Sequence, residues 1–576
     1  MKEEAKSNTK KKSFFFEDYT ESEIIINNSN IAKISTSRVS FLFFIFLSLV
    51  IIFFFKLIYL SLFPEKNSIA ERKNINLIKN RADIIDRNGT ILARNINIYS
   101  AGVKPKLIID KKKFIINLKL IFPELNVKKI TKKIDNNKFF YIKKRLTDEE
   151  KTKLWLLGSK AIVFEKKEFR IYPQKNLFSH ILGQIDDDNN GISGVEKFFD
   201  KKLKEENQSE SSLVLTLDSS LQYLIREELI KAQEYFNPAG SAALLMNVNN
   251  GEILSLVSLP DYDLNQRASI SDKIYTNKIT LGVYELGSVF KTFTLAAALE
   301  NEIIKSNTIF KDLETYLTCD KYKISEHDEL PKNLSAEQIL VRSSNIGSVK
   351  IAQKLGVDKY KRFLDSLGLF QKINFDLEEV GTPLPFKWGK CKLATASYGH
   401  GITTTPLQLA KAYSILSNGG YNIKPSILKK KLSSRNTYKG KQIVSKKTSD
   451  KINSILRKVV SLEEGTANFA NVEGYDVGGK TGTALKYNSN ARLNTFISLF
   501  PTNKPEYVLL VMLDEPKPAP SFVYEFPPSE KFPNGYKHKG EKRNTSGWNT
   551  VVVAGKIIEK IGPILAINSL QASKNF

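Results

Sequence analysis

The stretch SAALLMNVNNGEILSLVSL, residues 241–259, decides the fold. Ser241 to Val248 and Glu252 to Leu259 are strand-length runs rich in apolar residues, and Asn249-Asn250-Gly251 between them is turn chemistry. Two such runs joined by a tight turn read as a hairpin. An isolated hairpin is marginal in water, so this one needs partners. Strand character returns far downstream at Val477 to Leu485, Asn494 to Phe500 and Tyr507 to Leu513. Between 259 and about 460 the pattern is largely helical, with long loops. Upstream, Leu213 to Leu217 is strand-like and Asp218 can cap a helix running to about Phe236. A last helix is expected over about Thr550 to Ile561. Early and late strands thus enclose a helical middle. The simplest closure is an α+β body, in which one antiparallel sheet is flanked by helices and carries an inserted helical subdomain.

Outside this body, which begins at about 213, the chain divides three ways. Residues 1–38 are polar, mix Lys with Glu, and read as a mostly disordered tail. Val39 to Phe55 is apolar except for two serines, and Leu57 to Phe63 continues the run past Lys56. About 20 apolar residues cross a bilayer. Signal-peptide cores are shorter and end in a small-residue cleavage site, which Ser61-Leu62-Phe63-Pro64 is not. Residues 39–63 therefore read as a single uncleaved transmembrane helix. Lys33 and Arg38 precede it, while Lys56, Lys66, Arg72 and Lys73 follow it. Charge alone does not orient it, because large translocated domains override the bias. Residues 64–212 form an extended N-terminal region. It opens on a hairpin signal at Asn88-Gly89, within Arg81 to Ala93, and has a Lys-rich middle.

The formal charge of +26 raises the question of a polyanionic partner. The basic residues are scattered along the chain and interleaved with acids, without a nucleic-acid motif, so no nucleic-acid partner is expected. Two cysteines, Cys319 and Cys391, are far from a disulfide framework and lack metal-ligand spacing; one bridge and two free thiols are both compatible with them. The four histidines are dispersed, which favours neither a zinc site nor a Ser-His site.

Three elements carry possible chemistry. The first is Tyr284-Glu285-Leu286-Gly287-Ser288-Val289-Phe290-Lys291, opening an alanine-rich helix. Positions i and i+3 share a helical face, so Ser288 and Lys291 can meet. A serine hydroxyl needs a base, and an amine serves when burial or a nearby cation keeps it neutral. The second is Ser343-Ser344-Asn345, between helical stretches Ala336 to Val341 and Ile346 to Leu355. The third is Gly478-Gly479-Lys480-Thr481-Gly482-Thr483-Ala484, at a strand whose glycines admit close backbone approach by a ligand. Each alone has a plain structural reading as a cap, a turn or a bulged edge strand. Gly474 to Thr481 also fits the phosphate-loop frame, but that mechanism needs a buried strand before the loop and a helix after it, and Gly482 and Thr483 are poor helix openers.

The order Ser-x-x-Lys, Ser-x-Asn, Lys-Thr-Gly resembles the motif set of penicillin-binding proteins and serine β-lactamases. Arg81 to Ala93 and Gly191-Ile192-Ser193-Gly194-Val195-Glu196 are similar to signatures of the N-terminal region of class B penicillin-binding proteins, and Tyr398 to Gln408 to another within their transpeptidase domain. The resemblance implies a peptidoglycan D,D-transpeptidase of division-specific type, with 64–212 as pedestal or dimerisation-like domain and 213–576 as transpeptidase domain. It implies Ser288 as nucleophile, Lys291 as its base, Ser343 and Lys480 as proton relay and field, and Asn345 holding a substrate amide. Thr481, Gly482 and Thr483 would line the substrate, with the Ser288 and Thr483 N–H groups as oxyanion hole. It implies no metal and no cofactor. The expected partners are stem peptides, β-lactams as inhibitors, a membrane glycan polymerase and other division proteins. The expected location is the inner membrane, with the catalytic domain periplasmic. His400 is expected to be structural. Residues 64–212 are too few for a glycosyltransferase domain. Leu286, Val289 and Leu485 depart from the family's commonest residues. The alternatives are an elongation-specific paralogue, a β-lactamase or β-lactam sensor of the same fold, and a catalytically silent division scaffold.

Overall fold

The structure, a computed structural model, describes residues 31–62, 81–206, 211–266, 272–320, 322–389, 391–430, 440–486, 489–526, 532–540 and 543–574. It divides into two units, Met1–Lys79 and Asn80–Phe576. Among its described residues, the first contains one helix, Ile31–Leu62. Its stretch Ser40–Tyr59 is 20 residues long, apolar and unburied. At 1.5 Å per residue that spans about 30 Å, the thickness of a bilayer's hydrocarbon core. Of the expected tail over 1–38, residues 1–30 lie outside the described residues, and 31–38 are helical rather than disordered, running unbroken into the apolar span.

In the second unit the central sheet is antiparallel throughout. Its order is Gly478–Leu485, Arg492–Phe500, Tyr507–Asp514, Gly240–Asn247, Ile253–Leu259. The hairpin at 240–259 therefore pairs through its first strand with the last of the three late strands, which closes the expected single antiparallel sheet from early and late strands. Tyr507–Asp514 and the hairpin strands are buried almost without break, so both faces are covered. Helices Ser219–Phe236, Pro406–Ser417, Lys446–Ser461 and Thr550–Lys574 pack against the sheet. Asp218 caps the first of these, its carboxylate accepting from the Ser220 and Leu221 N–H groups. The inserted segment contains helices Lys291–Glu300, Ala336–Val341, Asn345–Leu355 and Val357–Ser366, and a ribbon of Tyr316–Cys319 with Tyr322–Ser325. Cys319 and Cys391 are bridged, which resolves the alternative the sequence leaves open.

Two features exceed the sequence expectations. The last helix runs on to Lys574 through Pro563. Ile561 and Leu565 on either side are buried, and their packing outweighs the hydrogen bond a proline forfeits. A ribbon of Ala519–Phe526 with Tyr536–Gly540 forms where prolines argue against strands. Cross-strand rings hold it, with Phe526 stacked on Tyr536 at 4.2 Å.

In the N-terminal region the long strand Ile91–Val103 pairs with Ile84–Ile85, Phe140–Lys143 and Ile162–Ile171. Asn88-Gly89 makes the expected turn, with Gly89 at φ +89°. Ile84–Ile85 also pairs, in parallel, with Leu213–Val214. The base of this region, including Ala82, Ile84 and Leu92, shares the large core of the catalytic sheet, whereas its far end has a separate small core around Phe114, Leu118, Phe122 and Leu154. The two family-like stretches meet at the base. The buried Glu196 carboxylate takes Arg81 at 2.8 Å on one oxygen and Arg170 at 2.7 Å on the other.

Candidate active site

Gly287–Phe290 is a 3-10 turn running into helix Lys291–Glu300. Ser288 sits half-buried on that turn, and the Lys291 side chain is buried at its end. Gly287 has φ +64°, and a Cβ there would lie 2.7 Å from the Thr483 carbonyl oxygen and 3.3 Å from the Thr483 nitrogen. On the facing strand, a Cβ at Gly482 would lie 2.3 Å from the Leu286 carbonyl oxygen. Only glycine at both positions lets the nucleophile's turn press against the Lys480 strand. This brings the Ser288 turn beside the Thr483 backbone.

Ser343 sits at φ +59° between Ala336–Val341 and Asn345–Leu355. Its carbonyl oxygen and hydroxyl both accept from the Lys291 amine, the hydroxyl at 3.2 Å. The Lys480 amine donates to the same hydroxyl at 2.8 Å, to the Thr481 carbonyl at 3.2 Å and to the Thr481 hydroxyl at 3.3 Å. The structure thus brings Lys291, Ser343 and Lys480 together. The expected Ser288–Lys291 contact is different: among the described residues no hydrogen bond reaches the Ser288 hydroxyl. The Ser343 carbonyl, turned inward by its left-handed backbone, competes successfully for the amine.

Burial pushes the Lys291 amine down to about 7, with the Glu326 carboxylate opposing. Lys480 is pushed well below the ordinary lysine range, first by burial and then by the charge of Lys291. Two buried ammoniums on one hydroxyl repel, so the pair disfavours carrying two protons at once.

Asn345 opens its helix. Its amide donates to the Ser325 carbonyl at 2.8 Å, and its Oδ1 is buried with no hydrogen-bond partner. The residue that holds this corner, Glu326, is not in any motif. It accepts from the Ser344 hydroxyl at 2.6 Å, the Asn345 N–H at 2.7 Å and the Ile346 N–H at 2.9 Å. In sequence it lies in Ser325-Glu326-His327-Asp328-Glu329, which reads as a solvated turn. On the other side, the Thr481 hydroxyl lies 2.9 Å from the Thr466 hydroxyl, and Thr483 Oγ1 accepts from the Ser546 N–H at 3.2 Å. Lys480 and Thr481 continue as strand with no helix following, so the phosphate-loop frame has no phosphate-loop geometry. His400 pairs with Glu285 at 3.3 Å and its side chain stays exposed. Its neighbour Gly399 packs under the nucleophile's turn, where a Cβ would lie 2.1 Å from the Gly287 carbonyl oxygen.

Two family descriptions match the chain in tandem: "Penicillin-binding Protein dimerisation domain" over residues 78–222 and "Penicillin binding protein transpeptidase domain" over residues 241–525. The chain is 32% identical over 502 residues to the probable peptidoglycan D,D-transpeptidase FtsI of Caulobacter vibrioides, covering 84% of this chain and 82% of the relative. It is 30% identical over 491 residues to the stage V sporulation protein D of Bacillus subtilis, covering 77% and 76%. It is 31% identical over 483 residues to the peptidoglycan D,D-transpeptidase FtsI of Buchnera aphidicola, covering 76% and 82%. Likeness of this extent, across both domains of the same architecture, fixes the family: the chain belongs to the class B penicillin-binding proteins.

Proposed function

We propose that this protein is a serine-type peptidoglycan D,D-transpeptidase of the septal kind, and that Ser288 is its nucleophile. The observation that carries the reading is the convergence of two buried amines, Lys291 and Lys480, on the Ser343 hydroxyl beside the Ser288 turn. A neutral Lys291 amine uses two N–H bonds on Ser343 and keeps its lone pair for the Ser288 proton. Ser288 Oγ then attacks the carbonyl of the penultimate D-alanine. The negative charge that develops on oxygen falls to the Ser288 and Thr483 N–H groups. The Ser343 hydroxyl, accepting from both amines, gives its own proton to the departing nitrogen and takes its replacement from the Lys291 ammonium, which returns Lys291 to the neutral form. D-alanine leaves and Ser288 holds the acyl group. The amine of a neighbouring stem peptide attacks that ester, loses its proton along the same path in reverse, and frees Ser288.

Asn345 Oδ1 is a buried acceptor without a donor, which suits a substrate amide N–H. The Thr481 and Thr483 hydroxyls and the Gly482 backbone edge suit the terminal carboxylate. We divide the chain into a tail over 1–38, an anchor over 39–63, a pedestal over 64–212 and a transpeptidase domain over 213–576. The apolar Ser40–Tyr59 helix supports membrane attachment, and we put the catalytic domain on the periplasmic side because stem peptides lie there. A membrane glycan polymerase and other division proteins are the partners such an enzyme needs.

The test is labelling of the purified full chain with a fluorescent penicillin, followed by peptide mapping. The adduct is expected on Ser288. Labelling at another residue, or none in folded protein, overturns the assignment.

A further inference from the structure

Glu326 contributes no atom to the three motifs, yet both of its carboxylate oxygens are spent on the Ser-x-Asn corner. Oε1 accepts from the Ser344 hydroxyl and the Ile346 N–H, and Oε2 accepts from the Asn345 N–H. The preceding carbonyl, Ser325 O, takes the Asn345 side-chain amide. Every polar group that fixes the orientation of Asn345, apart from its own helix, therefore comes from two consecutive residues of a different segment. That segment ends the ribbon Tyr316–Cys319/Tyr322–Ser325, whose turn is pinned through Cys319 to Cys391, just ahead of helix Lys392–Ser397.

We infer that Glu326 is a positioning residue for acyl transfer: its carboxylate holds Ser344 and Asn345 so that the Ser343 hydroxyl meets both lysine amines and Asn345 Oδ1 keeps no protein donor of its own. This rests on the transpeptidase reading above and adds to it a residue outside the motifs. The geometry has two consequences. The carboxylate satisfies N–H groups at the start of helix Asn345–Leu355 that have no intrahelical acceptor. Because Ser343 is the residue immediately before this corner, any slackening is passed directly to the hydroxyl on which Lys291 and Lys480 converge. The Glu326 charge also acts on Lys291, opposing the effect of burial. The other charged groups around that amine are Lys480 on the facing strand and His327 next to Glu326, the latter lowered by burial first and by the Lys291 charge second.

The experiment measures the acylation rate of the full chain by fluorescent penicillin across pH, for the wild type, Glu326→Gln and Glu326→Asp. Wild-type labelling at Ser288 is checked first: its failure overturns the transpeptidase reading and this inference with it, whereas normal wild-type labelling lets the variants overturn this inference alone. Glu326→Gln is expected to slow acylation by about 10- to 100-fold, the scale of a small misplacement of reacting groups. It is also expected to move the midpoint of the pH profile to lower pH, because the negative charge facing Lys291 is gone. Glu326→Asp keeps the charge with a shorter reach, so the rate falls while the midpoint stays. A Gln variant within about twofold of wild type, or one slowed with an unmoved midpoint, overturns the inference. Should Glu326→Gln fail to melt cooperatively, the Asp variant decides alone, and a wild-type rate there is the overturning result.

Discussion

Lys291 and Lys480 both reach the Ser343 hydroxyl from inside the protein. Burial lowers both, and a proton on either disfavours a proton on the other. The base in the proposed mechanism is the neutral form of Lys291, brought down to about 7. The active fraction therefore grows as pH rises through about 7 and shrinks below it. Acylation of the wild type is expected to fall by about tenfold per pH unit on the acid side, in rapid-mixing measurements with a penicillin whose own hydrolysis is subtracted. A flat profile from pH 5 to about 8 would remove Lys291 from that role. Lys291→Ala is expected to abolish acylation while the melting profile stays cooperative. Ser288, Lys291, Ser343 and Lys480 are legible as candidates because three weak motifs occur in one order, and order is visible in a sequence. Glu326 was not, because two of its three donors are backbone N–H groups, which carry no residue signature. The missing Ser288–Lys291 hydrogen bond has a similar origin. Helical spacing shows which side chains can meet, but not that a carbonyl from the turn between two other helices will take the amine first.

At the scale of elements, the site exists because a turn and a strand come closer than side chains allow. Gly482 faces the Leu286 carbonyl, with Val289 Cγ1 also 3.0 Å from the place a Cβ would take. In Gly482→Ala the obstacle is backbone, which cannot swing aside, so the turn bearing Ser288 must move off the strand bearing Thr483. Acylation is expected to drop by about 100-fold, with a stability loss of about 1–3 kcal/mol for the forced repacking. Gly389→Ala is the control, since open space surrounds its new methyl group. Stopped-flow acylation and thermal melting of the two variants check this, and equal behaviour would refute the close-approach argument. The sequence marks the glycines of the Lys480 strand as permitting approach by a ligand, not by the turn bearing Ser288, and it marks the five sheet strands by their strand-like runs. It did not reveal the 519–540 ribbon, whose prolines look like breakers, nor the final turns of the last helix beyond Pro563. In both places packing outweighs local preference, and packing partners distant in sequence leave no local pattern.

Across the whole catalytic unit, the N-terminal region is joined to the enzyme in two different ways. Its base is continuous with the catalytic core through Ile84–Ile85 and Leu213–Val214, while its far end folds around a core of its own. The buried Glu196 sits at the base between Arg81 and Arg170, all three almost without solvent contact. Glu196→Gln keeps the side chain's volume and removes the charge, leaving the buried Arg170 guanidinium without its carboxylate while Arg81 keeps Asp200. Breaking a buried pair in this way costs about 3–5 kcal/mol. Because that base shares its core with the catalytic sheet, the loss is expected to appear at the active site, although Glu196 belongs to the pedestal. Penicillin labelling after a heat step should fail at a lower temperature in Glu196→Gln than in wild type, in step with the main calorimetric transition. Leu118→Ala, in the separate far core, should destabilise only that end, by about 2–5 kcal/mol, and leave the temperature at which labelling is lost unchanged. If Leu118→Ala lowers that temperature as far as Glu196→Gln does, the pedestal melts as one piece with the enzyme, and the division into a shared base and an autonomous far end is wrong.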